Sequence, residues 1–288
     1  MKLALGTAQF GLDYGISNTQ GQVCPAEVNK ILNIAQQHNI NTLDTAPAYG
    51  NSELVIGKSN IANQFKIISK IPALKNNEIN IERYIKNSLS MLKTNKLDAV
   101  LFHHVSDIIS HPLAIDRFNT LLKLKEKEVI TKVGISVYTP EQLKYCVEHY
   151  QIDIVQLPLN CLDQRFIQAG WLDKLASKGI EVHCRSLFLQ GLLLMAPSNR
   201  NNYFSPFSEP LNAFINAAKK FGISPLTLAL AIACQQESIN KIVLGCCNNN
   251  ELKDIIHAYK VAINFKEDLS FLACSNEKLL IASNWELN

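Results

Sequence analysis

Eight short apolar runs alternating with amphipathic stretches predict an α/β chain closed into a (β/α)8 TIM barrel. Two further observations agree. Several amphipathic stretches open on proline, and ionisable side chains stand at the carboxyl ends of successive runs. The runs cover residues 2–5, 42–44, 66–70, 99–102, 132–135, 154–156, 181–184 and 241–244. They are short and apolar, as strands buried on both faces of a parallel sheet must be.

The first run, Leu3-Ala4-Leu5, begins almost at the first residue, and residues 25–37 follow as a helix opened by Pro25. A proline there sacrifices only an N–H that a first helical turn leaves unpaired anyway. The next runs end on Asp44 and on Lys70, and helix 79–92 leads to Ala99-Val100-Leu101-Phe102 with His103 directly after it. Helix 113–127, run 132–135, helix 140–149 behind Pro140, run 154–156 and helix 166–178 continue the alternation. Run 181–184, helix 225–235 behind Pro225, run 241–244 and helix 251–262 complete it. An open doubly wound sheet would want a Gly-x-Gly-x-x-Gly turn after its first strand, and none stands there. The longest irregular stretch, 195–210, is rich in Asn, Ser and Pro and too long for an ordinary βα loop, so it is expected to be functional.

The 288 residues fit one barrel of roughly 250 residues with short extensions, so 1–288 reads as a single domain. A net charge of +3 with scattered basic residues argues against nucleic acid as a partner. No apolar span is long enough for a membrane, and the amino terminus enters a strand pattern at once, without a signal peptide. Eight cysteines without a CxxC pair or zinc-finger spacing imply reduced thiols and a cytoplasmic location, with no metal site. Cys246 and Cys247 are adjacent, but two small residues after a strand need no redox role.

Asp44, Tyr49, Lys70 and His103 would all reach the carboxyl-terminal rim of such a barrel. As a set they make chemical sense. A tyrosine hydroxyl, with an ordinary pKa near ~10, gives up its proton more readily beside an ammonium that stabilises the phenolate. Lys70 supplies that ammonium, Asp44 holds it, and His103 orients or polarises a carbonyl. His104 is the rival to His103, but neighbours on a strand face opposite sides, and the register after Asp98 selects His103. His111, His149, His183 and His257 show no ligand spacing and read as structural.

The order and context of these four residues resemble the aldo-keto reductase superfamily. The carriers are Leu43-Asp44-Thr45-Ala46 with Tyr49-Gly50 and Glu53, Asp98 five places before His103, and Leu5-Gly6-Thr7 through to Val243-Leu244-Gly245. The resemblance implies NAD(P)H-dependent reduction of an aldehyde or ketone, with Tyr49 as proton donor. NADP is the expected cofactor and NAD the alternative. It implies nicotinamide and phosphate contacts from Gly6, Thr7, Asp44, Ser136, Gln156 with Asn160, Arg185, Ser186, Gly191, Gly245, Cys246, Asn248 and Glu251. Three departures stand out: Val137 replaces a common asparagine, Arg185 a stacking tyrosine, and Glu251 a common arginine. The resemblance also implies a hairpin closing the barrel floor across Gly6, Gly11, Gly15 and Gly21, ahead of the first barrel strand. It further implies that residues 199–206 order across bound dinucleotide, and that the tail 278–288 lies near the site. Trp171 and Trp285 are candidate pocket walls.

Gly11-Leu12-Asp13-Tyr14-Gly15-Ile16 and the His103-His104 doublet resemble bacterial members tied to surface polysaccharide assembly, which suggests a sugar-linked carbonyl substrate. A monomer or small homo-oligomer is expected. Two other readings remain open at this point. One is a nicotinamide-binding regulatory subunit with little turnover; the other is a barrel lyase or isomerase using Lys70 as a Schiff base.

Overall fold

The computed structural model describes residues 1–59, 61–75 and 77–287. Its strands are β1 (Leu3–Gly6), β2 (Thr42–Asp44), β3 (Lys66–Ile71), β4 (Leu97–Phe102), β5 (Ile130–Ser136), β6 (Ile154–Pro158), β7 (Glu181–Arg185) and β8 (Lys241–Leu244). Every strand pairs in parallel with its neighbours in sequence, and β8 returns to β1, with Leu3 opposite Ile242, to close the barrel. Each predicted run lies within or overlaps one of these strands.

Leu3–Gly6 is thus the first barrel strand itself, paired on both sides. The expected floor hairpin across Gly6, Gly11, Gly15 and Gly21 is not formed. Gly11 instead ends a short helix, Ala8–Gly11, at the opposite, carboxyl end of β1.

The predicted helices form with shifted ends. Pro25–Gln37 and Pro140–His149 form as read, the second with Thr139 accepting from the Gln142 amide as its cap. The stretch 166–178 divides into Arg165–Gln168 and Trp171–Ser177, because Gly170 turns the chain at φ +66°. Ser52–Lys58 and Ser208–Lys220 were not read from the sequence. One is brief, and the other begins with Pro210 in its first turn, inside the stretch taken as irregular.

Two apolar layers result. The larger packs the helices on the outside of the barrel, including Phe10, Ile31, Phe102, Phe166 and Phe214, all fully buried. Burying one such side chain contributes about 1.5–3 kcal/mol. The smaller layer, Ile68, Ala99, Leu101 and Ile154, fills the barrel itself. Gly134 completes this plug, since a Cβ there would strike Ile154 and Leu101.

Alternation along the strands then places inward side chains above and below the plug. Above it come Lys70, Ser136, Gln156 and Arg185. Below it, Glu181 accepts from Lys132 at 2.7 Å and from His183 Nε2 at 2.7 Å, and these bonds, His183 foremost, hold its carboxyl down at about 2. His183 is therefore inside the barrel, in register with Gln156. Its role is structural all the same: it braces the amino-terminal end of the barrel.

Candidate active site

Asp44 ends β2, Lys70 lies one residue before the end of β3, and His103 follows β4, so the strand ends bring three of the four candidates together. Tyr49 comes from the loop after β2, which is held from two directions. Ser52 Oγ donates to the Thr7 carbonyl at 2.9 Å, and Thr7 Oγ1 donates to the Asp44 carbonyl at 3.0 Å. Gly11 packs so closely on this loop that a Cβ would run into the Tyr49 carbonyl and the Ser52 amide. A third buried bond, Ser69 Oγ to Glu53 at 2.6 Å, ties β3 to the helix behind it.

Lys70 Nζ is the hub. It donates to Asp44 Oδ2 at 2.6 Å, to the Thr45 carbonyl at 3.0 Å and to Tyr49 Oη at 3.2 Å. The pair is buried on both sides, with side-chain exposures of 0% and 4%. Across the barrel, Gln156 Nε2 donates to the other Asp44 oxygen at 2.7 Å. Because a carboxylate only accepts, this fixes which end of the Gln156 amide faces Asp44 and leaves Oε1 for another partner.

Burial weakens the Lys70 ammonium, but Asp44 and Tyr49 more than offset it, so its pKa lies above the ordinary lysine value. A lysine held as an ammonium has no lone pair for a carbonyl carbon, which removes the basis for the Schiff-base reading. For Tyr49 burial dominates and raises its pKa; Lys70 pulls it down without reversing the sign. The expectation of an acidified phenol is corrected accordingly. Tyr49 rests protonated, and the ammonium beside it stabilises the phenolate once the proton has left.

His103 stands edge-on to the Tyr49 ring, at 5.8 Å between centroids and 86°. Burial first, then the charges of Lys70, His104 and Arg185, lower its pKa to about 3. It is a neutral imidazole at physiological pH. The unfolded imidazole takes a proton near ~6.5, so this group costs stability as pH falls from there toward 3. We expect the His103 ring resonances in an NMR titration, assigned by their loss in His103→Gln, to stay in place from pH 5 to 8. A midpoint inside that window would contradict the neutral assignment.

His104 also reaches the mouth, with its ring 5.0 Å from that of His103. Strand alternation did not separate the two because β4 ends at Phe102, and both histidines lie beyond its last paired residue.

Above these residues opens a cavity of about 750 Å³, lined by Gly6, Thr7, Asp44, Tyr49, His103, Gln156, Arg185, Ser186, Gly191, Gly245, Cys246 and Glu251 among others. Its size is that of a site that buries most of a ligand. Most of the residues expected to hold a cofactor therefore line one cavity. Ser136 and Asn248 do not line it. Ser136 is buried beside Gln156 and its Oγ has no partner, while Asn248 caps helix Asn249–Ala262. Asn160 is fully buried and spent on the loop itself, donating to the Ser186 carbonyl at 3.3 Å.

Sequence reading missed Gln9, Tyr14, Ser17 and Tyr138, all on the cavity wall. Tyr138 lies two residues beyond Ser136, past the end of β5. The segment 199–206 does not line the cavity. Phe204 is buried, and Tyr203 Oη donates to the Lys278 carbonyl at 2.9 Å, so this segment packs on the tail. Leu280, Ala282 and Ser283 of the tail do line the cavity, while Asn288 lies outside the described residues. Neither tryptophan does: Trp171 packs against the core, and Trp285 meets Phe204 edge-on at 5.0 Å.

Instead, the segment from Ser186 to Gly191 lines the cavity, with positive φ at Ser186, Leu189, Gln190 and Gly191. Its Gly191 presses against Ser17 from the loop after β1, leaving no room for a Cβ. The features that suit a dinucleotide are this segment, the glycines 6 and 245 in the wall, the helix beginning at Asn249, and the unpartnered His103 Nδ1.

A closed parallel barrel with an Asp–Lys–Tyr–His cluster at its carboxyl-terminal mouth defines a class of oxidoreductase. Residues 2–269 match the model of the aldo/keto reductase family, and the chain belongs to that family. Among curated proteins it is 27% identical over 260 residues to D-arabinose 1-dehydrogenase of Saccharomyces cerevisiae, covering 80% of this chain and 76% of the relative. Similar solved folds include the holo form of aldo-keto reductase AKR11C1 from Bacillus halodurans, at TM-score 0.71, 18% identity and coverage of 91% and 90%. Glycerol dehydrogenase AKR11B4 from Gluconobacter oxydans is another, at TM-score 0.69, 20% identity and the same coverage.

Proposed function

We propose that this member of the family reduces a sugar-linked aldehyde or ketone, with Tyr49 donating the proton to the carbonyl oxygen. The observation that carries this reading is the position of Lys70 Nζ, 2.6 Å from Asp44 and 3.2 Å from Tyr49 Oη on the cavity floor. A reduced nicotinamide supplies the hydride. Tyr49 holds its proton until negative charge develops on the substrate oxygen, Lys70 stabilises the phenolate left behind, and neutral His103 keeps the oxygen directed at Tyr49. The residues that would hold the cofactor are Gly6, Thr7, Gln156, Ser186, Gly191, Gly245 and Cys246. The eight free cysteines fit a cytoplasmic location, and the reading stays that of a single domain (1–288) acting as a monomer or small homo-oligomer.

The helix end at Asn249 favours NADH over the NADPH that family resemblance suggests. Glu251 already accepts from the Cys247 amide at 2.7 Å, and Glu27 accepts from the Asn249 amide at 2.7 Å. The Asn249 bonds hold the Glu27 carboxyl down at about 2. A 2′-phosphate at that end would face the two carboxylates that line the cavity there, Glu251 and Asp254, and no lysine or arginine among the described residues lines it there. Fluorescence titration should give a dissociation constant at least about tenfold lower for NADH than for NADPH, a gap that Glu251→Gln narrows. Turnover of an aldose panel with each nucleotide tests the reaction. NADH binding without turnover would favour a regulatory subunit instead.

A further inference from the structure

Arg185 is an inward-facing cation that the chemistry above does not use. It ends β7 in register with Pro158 and lines the cavity. Its guanidinium is held in a defined place: one nitrogen donates to the Val137 carbonyl at 3.1 Å, another to Ser186 Oγ at 3.2 Å, and its carbon lies 4.3 Å from the centre of the Tyr138 ring. A side chain with this much rotamer freedom is fixed by three contacts, and none of them is an acid.

Two other inward cations are neutralised, while Lys241, at the amino-terminal end of the barrel, donates to Asn41 Oδ1 at 3.1 Å. Lys70 is paired with Asp44, and Lys132 with Glu181 and Asp98. Among the described residues Arg185 has no carboxylate within ion-pair distance. Of the acids on the cavity wall, Asp44 is committed to Lys70, while Glu251 and Asp254 belong to the helix after β8. Arg185 also acts on the reacting end: its charge is felt at Tyr49, His103 and Tyr14. A half-buried, positioned and unpaired guanidinium is a site built for an anion, and its planar fork suits a carboxylate or a phosphate.

We infer that the substrate is an anionic carbonyl compound, carrying a carboxylate or phosphate that Arg185 clamps while the carbonyl meets Tyr49 and His103. This rests on the carbonyl-reductase reading and narrows its substrate class to acidic or phosphorylated sugars and their relatives. The cofactor's own diphosphate is the competing anion, and the test separates the two.

The test is equilibrium binding in the presence of saturating NADH, which needs no turnover. Benzoate in the parent, and both benzoate and 4-carboxybenzaldehyde in Tyr49→Phe, should bind at least about tenfold more tightly than benzamide and 4-carbamoylbenzaldehyde, respectively. Arg185→Met, which keeps the packing stem, should erase that preference, and Arg185→Lys should restore part of it. Phenyl phosphate against phenol extends the same comparison to the second anion. Equal affinity for charged and neutral probes in the parent, or a preference that survives in Arg185→Met, overturns the inference. So does a loss confined to NADH affinity, which assigns Arg185 to the dinucleotide. A charge preference in a parent that reduces no carbonyl leaves the anion site standing and removes the reductase reading instead.

Discussion

Tyr49→Phe is expected to lower kcat for carbonyl reduction by about 10²–10⁴-fold while leaving the NADH dissociation constant within about twofold. The substitution removes one oxygen and keeps the ring that His103 meets edge-on, so the loop geometry set by Gly11 and Ser52 persists. What disappears is the hydroxyl that Lys70 Nζ contacts at 3.2 Å. Water cannot replace it with the same effect, because the phenol's proton is held in place and its anion is stabilised beforehand. Stopped-flow reduction with fluorescence titration of the same preparation checks both halves. Retention of near-parental kcat would remove Tyr49 as the donor.

Lys70→Met is expected to be costly in both activity and stability. Asp44 would be left buried with only the Gln156 amide as partner, and stranding one member of a buried pair costs roughly 3–5 kcal/mol. The sign with pH distinguishes this from a packing defect. In the parent, Lys70 has a raised pKa, so its stabilisation is complete below ~10.5 and lost as pH rises through the folded value. In the variant the stranded carboxyl favours its protonated form, so the deficit should shrink as pH falls toward 5. Asp44→Asn combined with Lys70→Met should recover part of the loss at pH 7. Urea denaturation from pH 5 to 9 reads all three. A deficit independent of pH, or one deepened by the second substitution, would show that the charge is not the cause. Activity should fall at least about 10²-fold, since the phenolate loses its stabilising ammonium.

The barrel was legible because a parallel strand must be apolar on both faces, and eight such runs survive the noise of local composition. The tetrad was legible for a related reason: a strand end is a fixed address, so Asp44, Lys70 and His103 could be placed without knowing any loop. Loops carry no such address. Tyr138 and His104 were lost beyond strand ends, and 199–206 was misplaced because nothing in its composition reveals that Phe204 would bury against Trp285. The sign of the Tyr49 shift also lay outside the sequence, since it is a contest between burial and a neighbouring charge, and only coordinates weigh the two.

Glu27, on the first long helix, caps the last one through the Asn249 amide and side chain, at 2.7 and 2.6 Å. Residues separated by 222 positions thus meet at the start of the helix that carries Glu251. During synthesis, the early helix must be made and held long before its partner leaves the ribosome. A nascent chain halted after β7 would carry the whole tetrad, yet its barrel seam would still gape and its nucleotide cradle would lack one side.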